Sequence, residues 1–159
     1  MSEAKFKTLR HMETVRNYIN VFIHELLRRQ ERHDQSKLET PEVEIFEKYT
    51  PKLRSTTYGS DEYKKTMEEM KVAIDHHNFH NRHHPEYHSD GIKGMNLVDL
   101  MELLADWKSA TLRHSDGDIR QSIELNQKRF GYSDELKQIL LNTAKFLNES
   151  NVFNKANES

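Results

Sequence analysis

The sequence predicts an all-α fold, a compact bundle of five to seven helices. Apolar residues recur at helical spacing along almost the whole chain, and no segment alternates apolar and polar residues convincingly at a period of two. The 159 residues include only 5 glycines and 3 prolines, which disfavours a turn-rich β-sandwich or barrel. This length predicts one domain, residues 1–149, followed by a polar tail, residues 150–159.

The first helix is predicted to be long and to end near Gln30. His11 lies four residues before Val15 and is expected to share its inward face, whereas His24 points the other way. A short second helix is predicted over residues 41–47, with Pro41 in its first turn. The apolar face of the first helix consists of Phe6, Leu9, Val15, Ile19, Phe22, Ile23 and Leu26.

A third helix is expected to begin after Ser60, whose hydroxyl can accept a hydrogen bond from the first turn. Its apolar stripe ends on a histidine, which places His77 on the core face. Pro85 biases His84 away from helical geometry. The stripe has the spacing 4, 3, 4, 3 and consists of Tyr63, Met67, Met70, Ile74 and His77.

Three further helices complete the predicted bundle. Asn96 is expected to cap a fourth helix that runs to about His114, with Asp99, Glu102 and Asp106 beside its apolar side. The last two are predicted over residues 119–130 and from a Ser133 cap onward. The apolar side of the fourth helix consists of Leu97, Leu100, Leu103, Leu104 and Trp107.

Composition excludes several classes of function. The chain has no cysteine, so any metal must be bound by nitrogen and oxygen ligands. A net charge of −2 gives no electrostatic argument for a nucleic-acid partner. No apolar run has the length of a membrane span, and no signal-peptide pattern opens the chain. We therefore expect a cytoplasmic protein without a membrane partner, in the host cytoplasm if a phage encodes it.

Six of the chain's 10 histidines lie within residues 76–88, here called the histidine segment. A solvated helix end would explain many of them, because histidine is favourable near a helix C-terminus. It does not explain His77, which lies in an apolar stripe. Imidazole nitrogens and carboxylate oxygens are ligands that borderline divalent metals prefer.

Other histidines and aspartates are also candidate metal ligands, although the presence of each one alone has a simpler explanation. His11 can be a structural histidine, and the dipeptide His33-Asp34 can arise by chance. Asp106 can be a helix-face charge paired with Lys108 or Arg113. The order of the whole set along the chain is more informative than any member.

That order resembles the HD-domain superfamily of metal-dependent phosphohydrolases, an all-α fold named for its His-Asp pair. The resemblance rests on RHMETV (residues 10–15), HDQSK (33–37) and ADW (105–107), and covers roughly residues 6–114. HDQSK is similar to the family's HDxGK form, with Ser36 in place of glycine. HNRHHPEY (80–87) and MNLVDLME (95–102) resemble more closely an uncharacterised family common in phages and bacteria, which implies no activity.

The HD resemblance implies a site with one or two divalent ions, of Mn, Mg, Co, Zn or Fe. Asp34 would bridge to a second ion, for which His77 is the best single ligand, joined by one or both of His83 and His84. The chain crowds these histidines into one segment, whereas dinuclear members draw them from separated elements. The ligands implied for the first ion are His11, His33, Asp34 and Asp106.

The same resemblance suggests how a substrate would be held. The ammonium of Lys37 would hold a phosphate oxygen, and His76 would lie behind the ligands or face the substrate. Arg82 and Glu86 would contact substrate or orient ligands through hydrogen bonds. Further candidates for phosphate or base contacts are Arg113, Asn126 and Arg129.

The predicted function is hydrolysis of a phosphoester by a metal-activated water, with catalysis assigned to Asp34, Lys37 and His76. The absence of a second domain favours a small substrate, such as a deoxynucleoside monophosphate or a cyclic or dinucleotide signal. A homo-oligomer is left open, because Met- and Phe-bearing helices are able to pair.

Two other classes of function remain open for this sequence. One is a di-iron oxygenase of the same fold, whose ligand order the chain can satisfy. The other is a non-catalytic helical binding module with a structural metal. The ligands in the di-iron order are His11, His33, Asp34, His77, His84 and Asp106.

Overall fold

A computed structural model describes residues 1–56, 60–112 and 117–150. These residues form seven α-helices and three short 3-10 helices, and they contain no β-strand, so the predicted all-α class is confirmed. The α-helices are α1 (Glu3–Gln30), α2 (Glu42–Ser55), α3 (Asp61–Glu69), α4 (Lys71–His80), α5 (Leu97–Thr111), α6 (Ile119–Phe130) and α7 (Asp134–Glu149). The 3-10 helices are Gln35–Leu38, Pro85–Tyr87 and Gly91–Gly94.

Side-chain caps fix the start of several helices where the sequence predicts them. The hydroxyls of Ser60 and Ser133 accept hydrogen bonds from the backbone N–H groups of Tyr63 and Leu136. Asn96 forms a reciprocal capping box with Asp99: its side chain accepts from the Asp99 N–H, and the Asp99 carboxylate accepts from the Asn96 N–H. These short-range bonds satisfy N–H groups that a helix start leaves without intrahelical partners.

Three helix boundaries differ from the predicted ones. The short helix predicted over residues 41–47 extends to Ser55 as α2, through Pro51. The predicted third helix is divided at Met70, whose N–H donates to the carbonyls of both Thr66 and Glu68, so that the turn tightens and α3 ends. The fourth helix ends at Thr111 rather than near residue 114.

The chain divides into two compact units, Met1–His77 and Asn78–Ser159. In the first, α2 packs against the 3-10 helix Gln35–Leu38 and against α3. In the second, α5, α6 and α7 pack against one another. The single domain predicted over residues 1–149 stays a prediction.

The second unit contains an apolar core. The indole of Trp107 stacks on the Phe130 ring at a centroid distance of 6.3 Å, and the Tyr132 hydroxyl donates to the backbone carbonyl of Ile123. Leu97, predicted on the apolar side of its helix, is exposed because it begins the first turn of α5. The buried core residues are Ile92, Leu103, Leu104, Trp107, Ile119, Ile123, Tyr132, Leu140 and Ala144.

Helix α1 has the predicted C-terminal end but not the predicted burial. Every residue from Glu3 to His24 is exposed, including the apolar face expected to point inward. Burial begins only in the last turns, where Arg29 is covered and its guanidinium donates to Glu25. None of the helices in the described ranges combines the length and the apolar character needed to cross a membrane.

Candidate metal centre

The His33-Asp34 pair lies immediately after α1, where the chain turns into the 3-10 helix Gln35–Leu38. Asp34 occupies the N-cap position of this short helix, and its backbone is left-handed, at φ 59° and ψ 14°. Aspartate tolerates this conformation better than most residues, although a positive φ is uncommon outside glycine. In this turn both side chains are less than one-third exposed.

Asp34 is surrounded by basic groups of the first unit. The Lys37 ammonium lies 2.5 Å from Oδ2, and Nε2 of His77 and of His33 lie 3.2 Å and 3.6 Å from Oδ1. Burial disfavours the charged carboxylate, but hydrogen bonds from His77 and Lys37 outweigh burial and hold the pKa of Asp34 well below its usual range. Asp34 is therefore ionised at neutral pH and suited to binding a cation.

Glu42, in the first turn of α2, joins two histidines of α4. Its carboxylate is fully buried, with Oε1 2.7 Å from Nδ1 of His76 and Oε2 2.9 Å from Nδ1 of His77. The Ser36 hydroxyl donates to Oε2 at 3.0 Å. Ser36, which stands where the HDxGK form has glycine, thus helps to fix this carboxylate.

His77 lies between two acidic side chains. Its Nδ1 is 2.9 Å from Oε2 of Glu42, and its Nε2 is 3.2 Å from Oδ1 of Asp34. A carboxylate behind the opposite ring nitrogen is the usual support of a metal-binding histidine. Asp34 Oδ1 and His77 Nε2 are therefore two ligand atoms, of the types that borderline divalent metals prefer, side by side in the first unit.

The second unit holds the other predicted histidine ligands. His83 is 2% exposed, and its Nδ1 lies 3.4 Å from Oε1 of Glu102 on α5. The His84 ring is tilted against the His83 ring at a centroid distance of 4.2 Å, in the extended backbone expected before Pro85. Asp106 is half-buried on α5, one turn after Glu102. The second unit thus places the imidazole of His83 beside the carboxylate of Glu102.

Three predicted substrate-contact residues of the second unit are engaged in ion pairs. Arg82 binds the fully buried Asp99 through Nε and Nη2, at 2.9 Å and 3.3 Å. Glu86 accepts from Nη2 of Arg129 at 2.8 Å. The roles of Arg82, Glu86 and Arg129 toward a substrate or a metal ligand stay predictions.

His11 is separated from the Asp34 cluster along α1. His11 is exposed on α1, and the 19 residues from it to Gln30 span roughly 28 Å of helix at about 1.5 Å per residue. The continuous helix therefore does not bring His11 to His33 and Asp34. Asn126 is half-buried on α6 beside Ser122. Arg113 lies outside the described residues.

Sequence reasoning missed the carboxylates behind the histidines. Glu42 follows Pro41 at a helix start, where an acidic residue is also favoured by the helix dipole, so the sequence carries no distinct signal for its role. Glu102 and Asp99 were expected only to line the side of a helix. The contacts that identify all three join residues distant in sequence, such as Glu42 and His77.

Comparison with known proteins shows the family of the chain but brings no activity with it. No curated protein and no solved structure matches the chain. One family model, described as a family of unknown function and designated DUF5662, matches residues 1–150. Because that match spans nearly the whole sequence, the chain belongs to the DUF5662 family.

Proposed function

We propose that this protein is a metal-dependent phosphohydrolase that cleaves a phosphoester of a nucleotide or a similar small molecule. One observation carries the proposal: His77 is oriented by the buried Glu42 carboxylate and directs Nε2 toward the ionised Asp34. The His-Asp pair and Lys37 lie in the same cluster, in agreement with the HD-domain resemblance of HDQSK.

The cation would be held in the first unit by Asp34 and His77, with the His33 ring beside them, its Nε2 3.6 Å from Asp34 Oδ1. Their ligand atoms are imidazole nitrogens and a carboxylate oxygen, a set that suits Mn²⁺, Fe²⁺, Co²⁺ or Zn²⁺ better than a hard oxygen-only site does. Of the residues in the second unit, the resemblance assigns Asp106 to the first ion and one or both of His83 and His84 to the second ion. The structure leaves His11 out of this proposal.

A divalent ion, when bound, supplies a Lewis acid that lowers the pKa of a coordinated water and offsets charge on a phosphoryl oxygen. Lys37 would bind a phosphate oxygen of the substrate, since its ammonium lies beside Asp34 and its side chain is 33% exposed. His76 would exchange a proton at Nε2 with the leaving oxygen, because Glu42 fixes its Nδ1 and orients the ring.

The side chains of the proposed centre that can contact a substrate indicate its chemical class. Lysine and histidine side chains recognise a phosphate and its ester oxygen, and the net charge of −2 gives no electrostatic argument for a long nucleic acid as substrate. We therefore propose a compact substrate, such as a deoxynucleoside monophosphate or a cyclic or dinucleotide signal.

Phosphate release from a panel of nucleotides, with Mn²⁺, Co²⁺ or Mg²⁺, tests the proposal. We expect metal-dependent release that Asp34→Asn and His77→Gln each reduce at least 100-fold, whereas His24→Gln, an exposed histidine of α1, leaves the rate unchanged. Metal that is demonstrably bound without phosphate release from any substrate would contradict the proposal.

The same protein samples distinguish a phosphohydrolase from the other two classes of function. Iron in the purified protein, with visible absorption and oxygen consumption, would indicate the di-iron oxygenase. Loss of thermal stability in Asp106→Ala, together with no activity in the native protein, would indicate a binding module with a structural metal.

A further inference from the structure

Helix α1 carries an exposed apolar surface. Apolar side chains recur along the helix for about six turns and remain half-exposed: Phe22 and Ile19 are each 50% exposed, and Met12 is 53% exposed. Scattered apolar residues are normal on a surface, but a contiguous stripe of this length indicates an interaction site. The stripe consists of Phe6, Leu9, Met12, Val15, Ile19, Phe22, Ile23 and Leu27.

The first unit offers little other buried apolar surface. Among the hydrophobic residues described in it, only Met70 and Ala73 are fully buried. A segment of 77 residues that covers so few apolar side chains gains little free energy from burial. Covering the α1 stripe would supply that stabilisation.

The spacing of the stripe is that of a helix that pairs with another helix. Four residues of the stripe, Met12, Val15, Ile19 and Phe22, and the partly covered Leu26 after them follow one another at intervals of 3, 4, 3 and 4 residues, which is the seam of a two-helix coiled coil. No charged residue interrupts the seam between its ends. Asn17 and Glu13 lie on the opposite side of the helix, where they would stay in water.

The seam is also complementary to itself. Met12 and Leu26 each lie seven residues from Ile19, and Val15 and Phe22 lie four and three residues from it. An antiparallel copy related by a two-fold axis near Ile19 therefore places seam residues opposite seam residues, with the smaller Val15 facing the larger Phe22. This is the pattern of an isologous interface, in which one surface meets its own copy.

The area available lies at the lower end of the range for stable dimers. Eight side chains in the stripe are each about half-exposed. Full burial of an aromatic side chain covers about 150–250 Å² and that of an aliphatic one somewhat less, so covering the exposed half of the stripe would bury on the order of 500–700 Å² per copy. Interfaces of standard size bury about 600–1,000 Å² per partner.

We propose that α1 is a dimerisation helix whose seam packs against α1 of a second copy of this chain. The occupant is another copy rather than an unrelated protein because the seam matches itself in spacing, symmetry and side-chain size. The interface does not depend on the proposed enzymatic activity.

The mass of the purified full-length protein in solution tests this inference. Light scattering coupled to size exclusion should give about 38 kDa, twice the chain mass of 18.9 kDa, at micromolar concentration. Ile19→Asp should shift the mass to that of one chain, while Asn17→Asp, on the opposite side of α1, should leave the dimer intact. A native protein that runs as a folded monomer at 100 μM would overturn the inference.

Single cysteines identify the pairing surface without destabilising the helix. Since the native chain has no cysteine, any disulfide must come from the introduced residue. Under mild oxidation Ile19→Cys should form a covalent dimer at least tenfold faster than Asn17→Cys. Equal rates for the two variants would show that α1 does not pair through its seam.

Discussion

At the scale of single residues, Glu42 organises the candidate centre. It is fully buried, yet two imidazoles and a hydroxyl donate to it, so its charge is stabilised by hydrogen bonds rather than by water. One carboxylate thereby fixes the ring orientation of both His76 and His77. The residue that positions these histidines is not itself a predicted ligand.

Replacing Glu42 with glutamine should weaken metal binding. Glutamine keeps the shape, but it removes the charge and can turn an N–H group toward His77, so the imidazole is no longer held as a donor at Nδ1. We expect Mn²⁺ affinity to fall 10- to 100-fold, as is typical when the partner of a ligating histidine is lost. Isothermal titration calorimetry measures this change. The control Glu47→Gln, on an exposed position of α2, should bind as the native protein does; equal affinity in both variants would contradict the role of Glu42.

Tyr132 provides a test that is independent of the metal centre. Burial raises the pKa of its phenol to about 12. The folded state therefore favours the neutral phenol, and this contribution is present below the unfolded pKa of about 10 and is lost as the pH rises toward 12. Between these two pH values the contribution of Tyr132 to the free energy of unfolding should fall by about 2–3 kcal/mol.

The variant Tyr132→Phe isolates that contribution. At pH 8 it should be less stable than the native protein by about 1 kcal/mol, because the hydrogen bond to the Ile123 carbonyl is gone. Between pH 10 and pH 12 its free energy of unfolding should fall less steeply than that of the native protein. Urea denaturation across this range measures both, with the exposed Tyr18→Phe as control. Parallel pH profiles for the native protein and Tyr132→Phe would refute the assignment.

At the scale of elements, the start of α5 rests on reciprocal hydrogen bonds between Asn96 and Asp99. Asn96→Ala should lower the free energy of unfolding by about 1 kcal/mol, within the usual range of about 0.5–2 kcal/mol for a lost cap. Chemical denaturation at pH 7 checks this value. Asn17→Ala, in the exposed middle of α1, should leave stability unchanged or slightly raised, and a similar loss in both variants would show that the cap is not responsible.

Helix starts were predictable because their signals are local. Ser60, Asn96 and Ser133 each cap the helix that follows, and the sequence alone identifies all three. The break at Met70 and the continuation of α2 through Pro51 were not predictable, because no cap or glycine marks either one. The prediction that the apolar face of α1 points inward was wrong, because the spacing of apolar residues along a helix does not show whether its own chain or another chain covers them.

At the scale of the whole molecule, the histidine segment is divided between the two compact units. His76 and His77 close the first unit, next to Glu42 and Asp34, while His83 and His84 belong to the second, where His83 lies next to Glu102. The sequence predicted metal binding by these histidines but could not predict the carboxylates beside His76, His77 and His83, because those partners follow from packing. The DUF5662 family model covers both units.

The most direct test of the metal centre is a crystal structure of the Mn²⁺-soaked protein with anomalous scattering measured at the manganese absorption edge. We expect an anomalous peak within about 2.0–2.3 Å of both Asp34 Oδ1 and His77 Nε2, with Glu42 still bound to His77 Nδ1. No peak at Asp34 and His77, in crystals where manganese is bound elsewhere, would contradict the proposed centre.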